Sequence, residues 1–245
     1  QKMKKFEIKA CRSCDRVVAV SEVDRDALIQ NGVEASRMSV IPLGVDLSEY
    51  KNLDIEAVSA IRQEYGFLPD DFIIMFHGVL CYKPNYDAVR LLAQEIMPRL
   101  RSMGCSVKCL LVGRSPSTEF AASDIILTGA VDRLSPFIQA ADVAVVPLLD
   151  GGGTRLKILE YFAAGVPVIS TAKGAEGIKA ESGKDILIED SMDGIARLIN
   201  ELRANTAKRR TISNNARQFV QNFGWDRLAE DYCLLYTEVM QSKLN

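Results

Sequence analysis

Three consecutive glycines, Gly151, Gly152 and Gly153, followed by Arg155 and Lys157, are the residues of this chain best suited to chemistry. They follow an apolar run, Val143 to Val146, that ends at Pro147. Beyond them Leu156, Leu159 and Phe162, with Ile158 and Ala163, keep the i, i+3, i+4 spacing that predicts a helix. A glycine loop opening a helix presents free backbone N–H groups and the positive end of the helix dipole, which suits a phosphate. Arg155 and Lys157 put two cations in the first turn, where they oppose that dipole unless an anion sits there. Ordinary surface charge is the other reading of this pair. Gly165, Val166 and Pro167 stop the helix and Val168 to Ser170 opens a new apolar run, so the stretch reads strand, glycine loop, helix, turn, strand.

The elements that must hold such a loop follow the same alternation. Val17 to Val20 reads as a strand, Ser21 as the N-cap of a helix over Glu22 to Gln30, and Met38 to Pro42 as a second strand. A helical patch at Ile55 to Tyr65 precedes the strands Phe72 to Phe76 and Val107 to Val112. Between these, Asn85 is expected to cap a helix reaching Leu100. Short strands follow at Ile125 to Leu127 and Ile186 to Ile188, and helices at Leu134 to Ala141, Ser191 to Arg203, Ala207 to Asn222 and Trp225 to Lys243. Apolar strands alternating with amphipathic helices predict an α/β fold: a Rossmann-like parallel sheet with helices on both faces. Ligands of such sheets bind at the carboxyl ends of strands. Glycine recurs at those ends, in His77-Gly78, Gly113, Thr128-Gly129 and Gly151 to Gly153, which points to a nucleotide or phosphorylated ligand.

Composition bounds the remaining classes. The 245 residues are 48% hydrophobic and 25% charged, as in ordinary globular domains. A net charge of −2 carries no nucleic-acid footprint. No apolar run reaches the ~18 residues of a membrane span. Residues 1–16 lack the apolar stretch of a signal peptide, and six cysteines scattered through a long chain read as reduced thiols, so a cytoplasmic protein is expected. The opening is basic, with Lys2, Lys4, Lys5, Lys9, Arg12 and Arg16 against Glu7 and Asp15. Such a start is either a solvated helix face or a peripheral contact with anionic lipid at the inner face of a membrane. The first forty-odd residues form too little for a core of their own, so the chain is expected to begin inside a larger protein.

Several further residues admit two uses. His77, the only histidine, is a satisfied strand-end residue or a general base. Cys11-x-x-Cys14 has no second pair and no redox context, and coincidence is the simpler account. Trp225, Leu228, Tyr232, Leu235, Tyr236 and Val239 form a helical apolar stripe suited to core packing. Asp46 and Asp150 read as turn residues.

Taken together, these blocks resemble a known family, the family 4 (group 1) retaining glycosyltransferases of the GT-B fold. GGGTRLKILEYFAAGVPVIST is similar to that family's most specific motif. TGAVDRLSPFIQAADVAVVPL and GAEGI resemble flanking blocks of its donor domain, DRVVAVSEVDRDAL and IPLGVD the end of its acceptor-side domain and hinge, and FGWDRLAEDYCLLY its closing helix. The resemblance implies three parts: residues 1–45 as the end of the acceptor-side N-terminal domain and hinge, 46–222 as the nucleotide-sugar donor-binding domain, and 223–245 as a C-terminal crossing helix. The chain would then be the C-terminal half of a GT-B enzyme, and incomplete alone without the missing N-terminal domain.

What the family does is then the expectation for this chain. It is transfer of a sugar, of the hexosyltransferase kind, from a nucleotide-diphosphate sugar to a hydroxyl of a glycan or lipid-linked acceptor, with retained configuration. No metal and no cofactor beyond the donor substrate is implied, and no nucleic-acid partner. By resemblance Arg155 and Lys157 stabilise the leaving phosphates. Glu160 matches the second glutamate of the family's Glu-x7-Glu motif and is expected on the donor ribose. The first glutamate's place holds Gly152. Where the family carries an arginine and a lysine after the first glycine strand end, this chain has Val79 and Pro84, and Lys83 next to them is either a substitute or a solvated lysine. Gly78, Gly113, Gly129, Gly152, Gly153 and Thr154 are expected to approach the donor. The competing reading is a non-catalytic nucleotide- or phosphate-binding module that has lost its sugar site. A dehydrogenase-type Rossmann domain is disfavoured, because Gly-x-Gly-x-x-Gly and a following acidic residue are missing.

Overall fold

Apolar runs too short for helices alternate with stripes at helical spacing, and in the computed structural model, which describes residues 2–114 and 119–242, they become strands and helices in turn. In chain order these are α1 (Lys2–Ser13), β1 (Val17–Ala19), α2 (Glu22–Gln30), β2 (Met38–Val40), α3 (Ile55–Glu64), β3 (Phe72–His77), α4 (Lys83–Leu91) and α5 (Met97–Ser102). There follow β4 (Val107–Val112), β5 (Ile125–Gly129), α6 (Ser135–Gln139), β6 (Val143–Val146), α7 (Leu156–Ala164), β7 (Val168–Ser170), β8 (Leu187–Ile188), α8 (Met192–Ala204), α9 (Thr206–Val220) and α10 (Trp225–Ser242). The expected end of the last helix at Lys243 lies outside the described residues, as do the side chains of Lys2 and Lys4. Among the described residues no helix is long and apolar enough to cross a membrane.

The chain divides into two compact units, residues 1–45 with 222–245, and residues 46–221. In the first, β1 and β2 pair in parallel. Ala19, Val33 and Met38 form its core with Ile8 and Leu28, and Ile41 packs with Leu228 and Leu235 of α10. Only part of the expected stripe is core. Trp225 and Tyr236 stand 50% and 63% exposed, outside the cluster of Ile41, Leu228 and Leu235. Cys11 and Cys14 are free thiols.

The second unit is built on a six-stranded parallel sheet in the order β5-β4-β3-β6-β7-β8. Phe72 to Phe76, Leu110, Leu111 and Val143 to Val146 are all buried, as strands covered on both faces must be. The order runs outward from β3 in one direction and from β6 in the other. This makes the carboxyl ends of those two strands the topological switch point where ligands of open α/β sheets sit.

Two expectations inside this unit need correction. Asn85 does not cap its helix: Tyr82 is the N-cap and α4 begins at Lys83, with Pro84 in the first turn, where its missing N–H is harmless. That helix is also not one α-helix to Leu100, since a π-helical segment, Leu92–Ile96, separates α4 from α5. On α7 the buried face is Ile158, Leu159, Tyr161 and Phe162, all 0% exposed, whereas Leu156 is 39% exposed. The helix packs beneath the sheet's switch point over more of its circumference than a surface stripe allows.

Candidate functional site

The site is assembled from three strand ends and one helix start. Strand β3 delivers His77 and Gly78, β4 ends at Gly113, β5 at Gly129, and β6 leads through the glycine loop into α7. The ends are tied by backbone: Gly78 N–H donates to Val112 O at 3.0 Å and Gly113 N–H to Gly129 O at 2.8 Å. Gly113 has φ +131°, and a Cβ there would fall far inside contact distance of the Gly78 carbonyl oxygen. Only glycine lets the two chain segments cross so closely. Beside the crossing lies a cavity of about 240 Å³ lined by His77, Val79, Val112, Arg114, Val131 and Leu134 among others.

Lys157 is the centre of the cluster. It is the second residue of α7, with Arg155 as the N-cap. Its Nζ lies 3.9 Å from the centroid of the buried Phe76 ring and donates to Asn85 Oδ1 at 2.9 Å. Burial, reinforced by the nearby Arg155 charge and offset by Glu160, brings the Lys157 ammonium down to about 7. The charged form therefore costs the fold stability below that pH, and the cost fades as pH rises towards the ordinary lysine value.

Glu160, one turn on along α7, has its Oε2 3.3 Å from His77 Nε2. Burial raises the carboxyl, Lys157 opposes the rise and Glu49 adds to it. Tyr50, buried in the same region, is pushed up by burial and by Glu160. The expectation of a satisfied His77 fails in part. Its backbone N–H donates to Tyr161 Oη at 3.0 Å and its ring stands edge-on to Tyr161, yet Nε2, although 3.3 Å from Glu160 Oε2, makes no well-aligned hydrogen bond. Burial first, and then Lys157, lower its pKa to about 3, so the imidazole is neutral and too weak a base to hold a proton near neutrality.

The structure thus brings together Gly78, Gly113, Gly129, Lys157 and Glu160. Arg155 lies over the glycine loop, donating to Gly152 O at 2.8 Å and reaching Asp150 O at 3.5 Å, while its Nε is buried without a partner. Thr154 Oγ1 is likewise buried and unpartnered. Gly152 is exposed, with open space where a side chain would stand, and Gly153 takes φ +81°. Lys83 stands apart: its side chain is 80% exposed and pairs with Asp87 at 2.7 Å, one turn along α4. Asn85 and Tyr161 were not singled out by the sequence for this site. An asparagine before an apolar helix looks like a cap, and a tyrosine within an apolar helix looks like core.

Comparison with known proteins places the chain in a family and a fold. Residues 71–205 match the family model described as glycosyl transferases group 1, and residues 1–49 that of glycosyltransferase family 4. A D-inositol 3-phosphate glycosyltransferase of Rhodococcus opacus is 25% identical over 235 residues, covering 88% of this chain and 51% of the relative. The chain spans about half the length of the curated relatives it matches. Among solved structures, Anabaena HepE in complex with UDP-glucose superposes with a TM-score of 0.79 at 19% identity, covering 96% of this chain and 67% of that one. Sucrose-phosphate synthase of Thermosynechococcus elongatus gives 0.75 at 21% identity, covering 99% and 63%.

Proposed function

The chain belongs to the glycosyl transferases group 1 family, and from that premise we propose that it is the donor-binding part of a retaining glycosyltransferase using a nucleotide-diphosphate sugar. The observation that carries this reading is Lys157. A half-buried cation at the switch point of a parallel sheet, hydrogen-bonded to a neutral amide and only partly offset by Glu160, is unfavourable until an anion arrives. A diphosphate supplies that anion, and its charge grows as the sugar leaves, so a preorganised ammonium acts most strongly in the transition state.

In this reading the base takes the cavity beside Val112, Arg114 and Val131, and the ribose hydroxyls meet Glu160. The diphosphate lies over Lys157, Arg155 and the start of α7, its charge met by these groups without a metal ion. The sugar faces the open side of Gly152, and a glycan or lipid-linked hydroxyl is delivered by an acceptor-side domain. A uridine nucleotide is the first donor to try, because the neighbouring Anabaena protein was solved with UDP-glucose. Cytoplasmic location, with α1 as a peripheral membrane contact, completes the proposal. Family membership favours this reading over a non-catalytic module.

The test is thermal unfolding of this chain with UDP, GDP, ADP, CMP and their sugar conjugates, repeated on Glu160→Ala and on the Arg155→Ala/Lys157→Ala pair. At about 100 times its dissociation constant a ligand stabilises by about 2.7 kcal/mol. One base is expected to stand out, and both variants to lose the shift. A wild-type response that both variants keep would move the donor elsewhere. The retaining step is checked on the complete enzyme, where an inverted anomeric centre in the product would refute it.

Lys157 also sets an expected pH dependence. The phosphates of a sugar nucleotide carry no proton near neutrality, and they favour the charged lysine. Binding above the free value of about 7 therefore takes up a proton, and affinity falls with rising pH by up to about tenfold per unit. Calorimetric titration at about pH 6.5 and about pH 8.5, in buffers of different ionisation enthalpy, reads this uptake directly. Binding with no proton uptake would take Lys157 out of contact with the donor.

A further inference from the structure

We propose that Asn85 is a positioning residue for Lys157, holding the ammonium in place to receive the diphosphate; the proposal rests on the donor-site reading above. Asn85 is the third residue of α4, yet its side chain does not serve its own helix start. Its Nδ2 donates to Val79 O at 3.0 Å, in the segment just after β3, and its Oδ1 accepts from Lys157 Nζ at 2.9 Å, across 72 residues of chain. The amide has a single orientation that serves both neighbours. Turned over, it would set its NH2 against the ammonium and its oxygen against the Val79 carbonyl.

One side chain thus ties the β3 end, the start of α4 and the start of α7. The absence of a side chain at Gly78 is part of the device: a Cβ there would stand 2.8 Å from Asn85 Nδ2 and 3.2 Å from Lys157 Nζ. Lysine is a point charge on a stem of four rotatable bonds, and it lacks the planar fork by which arginine orients itself. Phe76 beneath and Asn85 beside it replace that missing rigidity. Because Asn85 is uncharged, it fixes the ammonium without neutralising it. The charged and titratable groups around Lys157 are Arg155 at the N-cap of α7, Glu160 on α7 and His77 on β3.

The experiment is a double-mutant cycle on the full chain with UDP-glucose and GDP-glucose as probes, using Asn85→Ala, Lys157→Ala and the double variant. Asn85→Ala is expected to weaken the better probe about tenfold, and Lys157→Ala about 100-fold. The double variant should be no worse than Lys157→Ala alone. If the two losses multiply, Asn85 does not act through Lys157, and the positioning role is overturned while the donor site stands. If the wild type binds neither probe nor inorganic pyrophosphate, the donor reading fails and takes this role with it.

Asn85→Asp separates positioning from mere folding. A carboxylate beside Lys157 favours the charged form, so the decline of affinity with pH should begin at a higher pH than in the wild type. Affinity near neutrality should drop, because the carboxylate competes with phosphate. An unchanged pH profile in Asn85→Asp, at an unchanged melting temperature, would refute the contact.

Discussion

Replacing Lys157 by methionine is expected to weaken binding of the nucleotide-diphosphate sugar by about 100-fold, and to slow transfer in the complete enzyme by about 100- to 1000-fold, while making the unliganded chain more stable. The opposite signs follow from one arrangement. In the free protein the ammonium lies over Phe76 and beside a neutral amide, held down to about 7 by burial and by Arg155. An apolar stem of similar length keeps the packing on Phe76 and removes the half-buried charge. If Lys157 faces the donor as proposed, the same charge meets developing negative charge in a site shielded from water, where it is worth most. Urea unfolding of the free variant and calorimetric titration with donor read the two halves separately. A variant that is less stable and still binds would mean that Lys157 is a structural cation. Arg155→Ala should act more weakly, since its guanidinium already serves the Gly152 and Asp150 carbonyls and its removal chiefly loosens the loop.

Gly113→Ala is expected to cost the fold about 3–5 kcal/mol and to lower the melting temperature by about 10 °C. Two terms add. The residue sits at φ +131°, where L side chains are strained, and the new methyl group would run into the Gly78 carbonyl. Relief would require parting β3 from β4 at the ends that tie to β5 through the Gly113 N–H. Gly152→Ala is the matched control: it has open space around it and no left-handed φ, so its cost should stay within about 0.5 kcal/mol. Comparable losses at both positions would mean that loss of loop entropy, and not the strand crossing, governs the glycine-rich ends.

Several features were legible because they are local. The β3, β4 and β6 runs are continuous and apolar, and such runs have few alternatives to a buried strand. Ser21 and Ser191 accept from the N–H groups of Asp24 and Gly194 as N-caps should, and Gly165 ends α7 in a left-handed turn. Element order, with glycines at successive strand ends, was enough to predict a parallel sheet with a ligand at its carboxyl edge. The glycine loop and Lys157 stood out as candidates by residue type and spacing, and Glu160 by resemblance to the family's motif.

Other features depend on partners far away in the chain, and spacing says nothing about those. Asn85 has the sequence context of a cap, but Val79 and Lys157 claim its amide once β3 and α7 are side by side. Lys83 and Lys157 are equal as cations in the sequence, and the fold sends one to solvent beside Asp87 and the other over Phe76. The shifts of His77 and Glu160 likewise arise from burial and from charges distant in the chain, Lys157 and Glu49, whereas Lys157 is shifted by burial and by its near neighbours Arg155 and Glu160. The sequence by itself determined the alternation of elements and the types of residue at the strand ends, because backbone geometry and apolar patterning act over a few residues. The tertiary structure alone decided which cation is desolvated, which amide holds it and which glycines must stay bare, because burial and hydrogen bonding depend on what the rest of the chain packs around each group.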